Sequence, residues 1–383
     1  MPRTRAYSAQ HAATEARHID KLRNEIDPEK LCSRAAMLRD GIPCTVDLSR
    51  KSLSSMMGNQ NCHDEIVFED KVKWLARFRL ARASSPPPEV RDWIFRSEAA
   101  TMTYLQQHTR IPAPRIFDWV CESNPANQLG FGYVLMEKLD GKPLDWQAAT
   151  PPQKEKVLQQ LVGIFLEIEK HPFNAIGSLD QSTYRAGKGP LGPFSSLLEY
   201  SQAMLDAYLA MIGNGELDSC CPVDTYLVHR FRRENVRAFS EAIASETQLF
   251  LKHPDDKGDH ILVSDSTEAF CSPCMMWPVD EFYNGINEIA AEEVRLDAIF
   301  REKSRDDLAG CVIEGRKVQR FFFALGPESS FVDTQTHQRL FGGLRRAFNM
   351  EDEELATWKS KALDRWKDDS LLLGLLEMEE AGM

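Results

Sequence analysis

The chain has 383 residues, 43% of them hydrophobic, and a formal net charge of −12. That apolar content is enough for one large domain or for two lobes with a real core. The acidic balance argues against nucleic acid or an anionic membrane as the main partner, and no apolar run is long enough to cross a bilayer. The first residues, from Met1 to about Pro28, are polar and lack the apolar core of a signal peptide, so the nine scattered cysteines read as reduced thiols and the chain as cytoplasmic. Cys271 and Cys274 have CxxC spacing, but no second pair follows, which makes a weak zinc or redox signal.

Residues 1–40 read as one or two polar helices, an N-terminal extension lying on the lobe that follows. From Thr45 to Leu80 the texture changes to strands: Thr45–Ser49, Glu65–Glu69 and Val72–Leu80. The last two are joined by the tight-turn signal Glu69-Asp70-Lys71 and should form a hairpin. Between the first and second lies Met56–Asn61, with a lone glycine, Gly58; by itself this is an ordinary strand connection. Arg77 falls on the third strand, with neither face cleanly polar. Ala83–Pro88 is a stiff connector that excludes helix.

A helix begins near Glu89, with apolar positions Val90, Ile94, Met102 and Leu105. Glu98 shares that face, and a carboxylate on an inward stripe needs a partner; otherwise it sits at the stripe's edge and reaches water. Ile111–Asp118 carries the helix into the next strand. Tyr133–Met136 is a buried strand, punctuated by Gly141-Lys142-Pro143. Thr150 opens a further helix with Gln153 completing a capping box, and its broad apolar face includes Val157, Leu161, Ile164, Phe165 and Ile168. Residues 180–248 look mainly helical, around a loop at Gly187–Pro193. Two more helical stripes follow at Ile289–Arg305 and Asp306–Ala324, and a helical tail at Glu351–Met378.

The chemically richest stretch is Phe250–Val263. Two short apolar runs flank a loop that holds His253, Asp255, Asp256, Asp259 and His260, with Gly258 free to turn the chain. Carboxylates so close raise one another's pKa and invite a cation, although a solvated acidic turn has the same composition.

This loop, from His253-Pro-Asp255 to His260-Ile-Leu-Val263, resembles the catalytic loop H-x-D-x-x-x-x-N-I-L-V of the aminoglycoside phosphotransferase family, a branch of the protein-kinase-like fold. Other segments resemble the same family in order, from about Val46 to Phe323: the Trp74-Leu-Ala-Arg77 strand, as in many fungal members, the Ile111-Pro-Ala-Pro step, the Lys170–Leu179 segment and Gly315–Phe323. The resemblance implies an α+β, two-lobed kinase-like fold: a small antiparallel-sheet N-lobe over 41–139 that binds nucleotide, and a mainly helical C-lobe over 140–383 with the catalytic loop and acceptor site. It implies ATP and Mg²⁺ as cofactors and a small-molecule hydroxyl as phosphoryl acceptor. It casts Asp255 as catalytic base, His253 as brace of the loop, Arg77 paired with Glu98 as the phosphate-holding cation, Gly58 in the loop over the phosphates, and the backbone of Met136 and Glu137 as the hinge facing adenine. The family's metal-binding Asn falls on His260, a poor Mg²⁺ ligand, with Asp259 beside it as a stand-in.

In one place the pattern breaks. The family continues after Ile-Leu-Val with a strand ending in I-I-D-W-E, whose Asp is the main magnesium ligand. Here Val263 is followed by Ser-Asp265-Ser-Thr-Glu268, and the family pattern resumes at Phe270. A strand and its Asp are therefore expected to be missing, leaving an unpaired edge at His260–Val263. A natural non-catalytic relative and a coding sequence misjoined at an intron both fit this gap. The acceptor's identity and the oligomeric state are not legible in the chain.

Overall fold

A computed structural model of the chain describes residues 2–58, 60–80, 85–143, 145–180, 192–217, 221–243, 248–251, 262–263, 269–270, 283–322, 333–350 and 353–381. These fall into two units. The first comprises Met1–Lys142 with Gly177–Pro193 and Leu262–Cys271; the second comprises Pro143–Ile176, Phe194–Ile261 and Ser272–Met383. The break comes at Lys142/Pro143, just past the expected Leu139–Gly141 crossing.

In the first unit the elements run α1 (Pro2–Glu25), α2 (Pro28–Met37), β1 (Cys44–Val46), α3 (Arg50–Ser55), β2 (Asn61–Phe68), β3 (Lys73–Arg79), α4 (Pro88–His108), β4 (Ile116–Val120) and β5 (Tyr133–Glu137). The strands form one antiparallel sheet in the order β1-β2-β3-β5-β4. Side chains alternate across a strand, so β2 and β3 each present two faces. Cys62, Ile66, Phe68, Trp74, Ala76 and Phe78 enter one core, which α1, α2 and α3 close with Ile19, Leu22, Ile26, Leu31, Ala35 and Leu53. On the opposite face Leu75, Val134 and Met136 pack against Phe95 of α4.

The hairpin between β2 and β3 is built as expected. Phe68 N–H donates to the Val72 carbonyl at 3.0 Å, and Lys71 takes a left-handed φ of 73°, the conformation that ends a three-residue hairpin loop. That closure fixes the register and sets His63 opposite Arg77 and Asn61 opposite Arg79.

The two N-terminal helices lie on the sheet and share its core. Asp27 caps α2 by accepting from the amides of Glu29 and Lys30 at 3.1 and 3.2 Å, with Pro28 in the first turn. Arg34 then grips Asp118 of β4 with two bonds of 2.7 and 2.9 Å, and the Tyr133 hydroxyl donates to the same carboxylate at 2.8 Å. Arg39 forks onto Asp70 in the hairpin loop at 2.7 and 2.6 Å.

The buried face of α4 is also displaced from the expected stripe. Asp92, Phe95, Ala99 and Ala100 are buried, while Val90, Ile94 and Leu105 are only partly so. Asp92 tolerates burial because the Ser123 hydroxyl donates to its carboxylate.

Three short strands follow: β6 (Lys142–Pro143), β7 (Leu262–Val263) and β8 (Ala269–Phe270), in the order β6-β7-β8. Leu262 pairs with Phe270 and Val263 with Ala269. At Leu262–Val263 the edge expected to lie open is therefore paired, with Ala269–Phe270 in the partner position; His260 and Ile261 lie outside the described residues.

The second unit is mainly helical: α5 (Pro151–Ile168), α6 (Leu197–Gly213), α7 (Pro222–Ile243), α8 (Ala291–Glu302), α9 (Asp306–Phe322), α10 (Thr334–Ala347), α11 (Leu355–Arg365) and α12 (Ser370–Glu380). Its core joins Leu205, Leu209 and Ile212 of α6 to Leu227 and Phe231 of α7, Phe321 of α9, Leu344 of α10 and Leu372 of α12. At the start of α5 the Gln153 carboxamide oxygen accepts from the Thr150 amide and hydroxyl at 2.9 Å each. An antiparallel sheet in one unit and helices in the other make the chain an α+β, two-lobed protein.

Two histidines, His229 and His337, are buried and a third, His63, is half-buried, all held toward the neutral ring. Burial lowers the pKa of His63, His229 and His337 below the usual 6.5, helped by the charge of Arg77 at His63 and of Arg232 at His229. Below pH 6.5 the unfolded chain takes up protons that the folded one refuses. Their contribution to stability is thus complete above pH 6.5 and declines as pH falls toward the folded values. Denaturation midpoints measured from pH 7.5 down to 5 should fall with a slope of up to about 1.4 kcal/mol per pH unit for each histidine. A flat profile would show that these rings are not buried neutral.

Candidate functional site

The sheet brings together two residues that the sequence singled out 21 positions apart. Arg77 sits on the α4 side of β3, and its guanidinium pairs with the Glu98 carboxylate of α4. The arginine side chain is only 15% exposed and the glutamate 37%. Arg77 Nε is buried and has no hydrogen-bond partner among the described residues. A cation so placed, with one donor unspent, has what a bound anion requires.

Three further residues meet at this point, and sequence reasoning passed over all of them. Arg79, two positions on and so on the same face of β3, lies 3.6 Å from the other Glu98 oxygen. Its Nη2 donates to the Gln60 side-chain carbonyl at 2.7 Å. His63 lies directly across from Arg77, and its ring Nδ1 is 2.8 Å from the Met56 carbonyl. A carbonyl can only accept, so Nδ1 carries the proton and the neutral ring leaves Nε2 as an acceptor. Strand parity would have found Arg79, and the hairpin register would have found His63. Gln60 had no local signal.

Gly58 behaves differently from its expected part. Its N–H donates to the Asn61 carbonyl at 2.8 Å, closing a turn. Its φ is not left-handed, and an added Cβ would meet only the Asn61 oxygen at 3.9 Å. Neither a free amide nor a steric need for glycine exists at this position, so Gly58→Ala should change the thermal midpoint and nucleotide affinity little, within about 0.5 kcal/mol in each. A loss of affinity of tenfold or more on titration with nucleotide would show that the turn opens to use this amide.

At the expected hinge, Met136 is held on both sides, by Leu75 and by Ile116. The Glu137 N–H donates to the Arg115 carbonyl at 2.8 Å. On the same sheet face as Arg77, the Glu65 carboxylate is occupied by Lys73 at 2.8 Å and by Lys138, which hold its pKa below the usual value. An open groove of about 540 Å³ beside Met56 is lined by Asp47, Asp64, Glu65, Ser52 and Ser55. Its acids disfavour an anion, and Asp64 is already spent on the Leu48 amide and the Ser52 hydroxyl at 2.6 Å each.

His253, Asp255, Asp259 and His260 lie outside the described residues, as do Asp265 and Glu268. Among the described residues no group of three or more His, Cys, Asp or Glu is placed to hold a metal ion. No helix among them is long and apolar enough to cross a membrane. In the second unit, Asp206 is engaged by Arg233 at 2.6 and 3.1 Å, Asp224 by Lys359 at 2.5 Å, and Tyr200 packs edge-on against Phe194.

No family model matches the chain. Two curated proteins of Aspergillus fumigatus, described as subtelomeric hrmA-associated cluster proteins of two strains, are each 29% identical over 102 residues. That match takes in 26% of this chain and spans a fifth (20%) of the length of those relatives. Among solved structures, a candidate fructosamine-3-kinase from Thermobifida fusca is similar with a TM-score of 0.48 at 15% identity, over 81% of this chain and 97% of that one. A candidate aminoglycoside phosphotransferase from Ralstonia eutropha scores 0.46 at 12% identity, over 85% and 97%. An ethanolamine kinase from Plasmodium vivax scores 0.42 at 13% identity, over 85% and 82%.

Proposed function

We propose that the chain is a phosphotransferase of the aminoglycoside phosphotransferase type, moving the terminal phosphoryl group of ATP to a hydroxyl of a small molecule. The observation that carries this reading is the Arg77–Glu98 pair, with Arg77 Nε buried and without a hydrogen-bond partner among the described residues. The donor set fits a polyphosphate: the Arg77 guanidinium spends Nη2 on Glu98, and its remaining N–H groups are donors of the kind phosphate oxygens accept. His63 keeps Met56 against the sheet beside it. Adenine would lie against the chain at Met136–Asp140; because the Glu137 amide is engaged, its donor would come from Lys138 onward.

In this reading Asp255 accepts the acceptor's proton and holds the hydroxyl in line, and His253 braces the loop. Magnesium, when bound, would neutralise charge developing on the phosphates. Asp259 and His260 are the residues offered to it.

A second reading, a non-catalytic kinase-like protein that binds nucleotide or a partner, is favoured by the β7–β8 pairing. In the family the strand paired to Ile-Leu-Val delivers the metal-binding Asp at its end. Here that strand ends at Phe270, and Cys271-Ser-Pro-Cys274 follows, with no carboxylate before Asp280.

Titration with ATP and Mg²⁺, followed by ATP turnover over a panel of hydroxylated small molecules, separates the two. Turnover in the wild type that is lost in Asp255→Ala supports the enzyme. Binding without turnover in either protein supports the non-catalytic reading, and no binding of nucleotide by the wild type overturns both.

A further inference from the structure

We infer that the phosphate grip of this chain is a pair of arginines, Arg77 and Arg79, sharing the single carboxylate of Glu98, so that Arg79 is a second residue binding the polyphosphate. The inference rests on the nucleotide-binding part of the reading above and names the residues by which it works. Arg77 and Arg79 stand two positions apart on β3, on the face turned to α4. Each touches a different oxygen of Glu98, Arg77 at Oε2 and Arg79 at Oε1. Their side chains are 15% and 16% exposed.

The charge count decides the matter. Among the described residues two guanidinium groups face one carboxylate, which leaves one positive charge in excess in a largely buried place. His63 adds no charge and cancels none, because burial lowers its pKa and its Nδ1–H is committed to Met56. Glu65, the next acid on that face, is held by Lys73 and Lys138. A half-neutralised cation pair in low dielectric is stabilised by an anion, and the guanidinium N–H groups not spent on Glu98 or Gln60 are donors that phosphate oxygens accept. A single point-like cation would serve one phosphate, whereas two forks side by side suit the neighbouring phosphates of a di- or triphosphate.

Arg79 also connects the parts that must move together. Its Nη2 holds the Gln60 side chain at 2.7 Å, and the Gln60 backbone carbonyl accepts the Leu80 amide at 2.8 Å. The end of the Met56–Asn61 turn is thereby tied to the same side chain that touches α4. Phosphate binding at Arg79 would therefore set the position of that turn as well.

The test uses the full chain and two probes, inorganic tripolyphosphate and ATP with Mg²⁺, by isothermal titration calorimetry at low and physiological salt. Arg79→Gln should weaken both probes about tenfold and flatten the salt dependence, with Arg79→Lys intermediate. Glu98→Gln, which keeps both cations and removes the charge between them, should bind tripolyphosphate at least as tightly as the wild type. Thermal midpoints report that each variant is folded. Wild-type affinity in Arg79→Gln beside a weakened Arg77→Gln would overturn the inference and leave the proposed function standing. Loss of tripolyphosphate binding in a folded Glu98→Gln would also overturn it. If the wild type binds neither probe, the nucleotide reading falls with it.

Discussion

Arg77→Met should cost far more in nucleotide handling than in stability. On the phosphotransferase reading, removal of a preorganised cation from the transferring group is expected to lower kcat/KM for ATP by about 10²- to 10³-fold, roughly 3–4 kcal/mol, as for other charge-stabilising donors. Nucleotide affinity should weaken even where no turnover is found. The fold should scarcely notice. Glu98 is more than a third exposed and keeps Arg79 beside it, so the lost ion pair is worth about 1 kcal/mol or less. Arg77→Lys should retain part of the affinity through charge alone, but not the fork. Steady-state kinetics or nucleotide titration, set against thermal melts of the same proteins, reads both effects. A variant that melts many degrees lower with unchanged nucleotide affinity would mark Arg77 as purely structural.

Glu293→Ala should show the reverse pattern, a large loss of stability arising away from the arginine pair. Glu293 sits in the first turn of α8, where its Oε2 accepts the Ala290 amide at 2.6 Å and the guanidinium of Arg316 on α9. The two side chains are 3% and 2% exposed. Breaking a buried pair by removing one partner leaves the other charge in low dielectric, which typically costs about 3–5 kcal/mol, and loss of the helix cap adds about 1 kcal/mol. Urea denaturation should show this as a lowered midpoint with little change in slope. The double variant Glu293→Gln with Arg316→Met removes both charges and should recover most of the loss. If the double variant is no better than Glu293→Ala, packing rather than charge dominates at this contact.

Local rules carried the sequence reading a long way in the first unit. The Glu69–Lys71 turn and the alternation on either side of it placed the β2–β3 hairpin. Once that hairpin is closed, its register follows, and with it the position of His63 against Arg77. The pairing of Arg77 with Glu98 came from the family resemblance; local pattern showed only a carboxylate on an apolar stripe and a cation on a strand. The stripe itself was misplaced. Periodicity weighs large apolar residues, but α4 approaches the sheet on the small side chains of Ala99 and Ala100 and on Phe95, and it can bury Asp92 because Ser123 meets it.

The region of greatest chemical interest, from His253 to His260, was readable only as a pattern, and it lies outside the described residues. At Leu262–Val263 its neighbour, the expected open edge, was misjudged for a physical reason. Counting residues showed that a segment was short; it could not show that Ala269–Phe270 takes the partner position.

What the sequence determined alone is whatever neighbouring residues enforce on one another: the hairpin, the helix starts at Asp27 and Thr150, the polar character of α1 and α2, and the presence of one cation and one acid in need of partners. What only the tertiary structure decided is convergence across long separations. Arg34 finds Asp118 84 positions away, which ties α2 to β4. Arg79, Gln60 and Glu98 meet because the end of a strand, a turn and the middle of a helix come to one place. Such meetings depend on how elements pack, and packing is set by the summed burial of many side chains rather than by any short stretch that a reader of the chain could isolate.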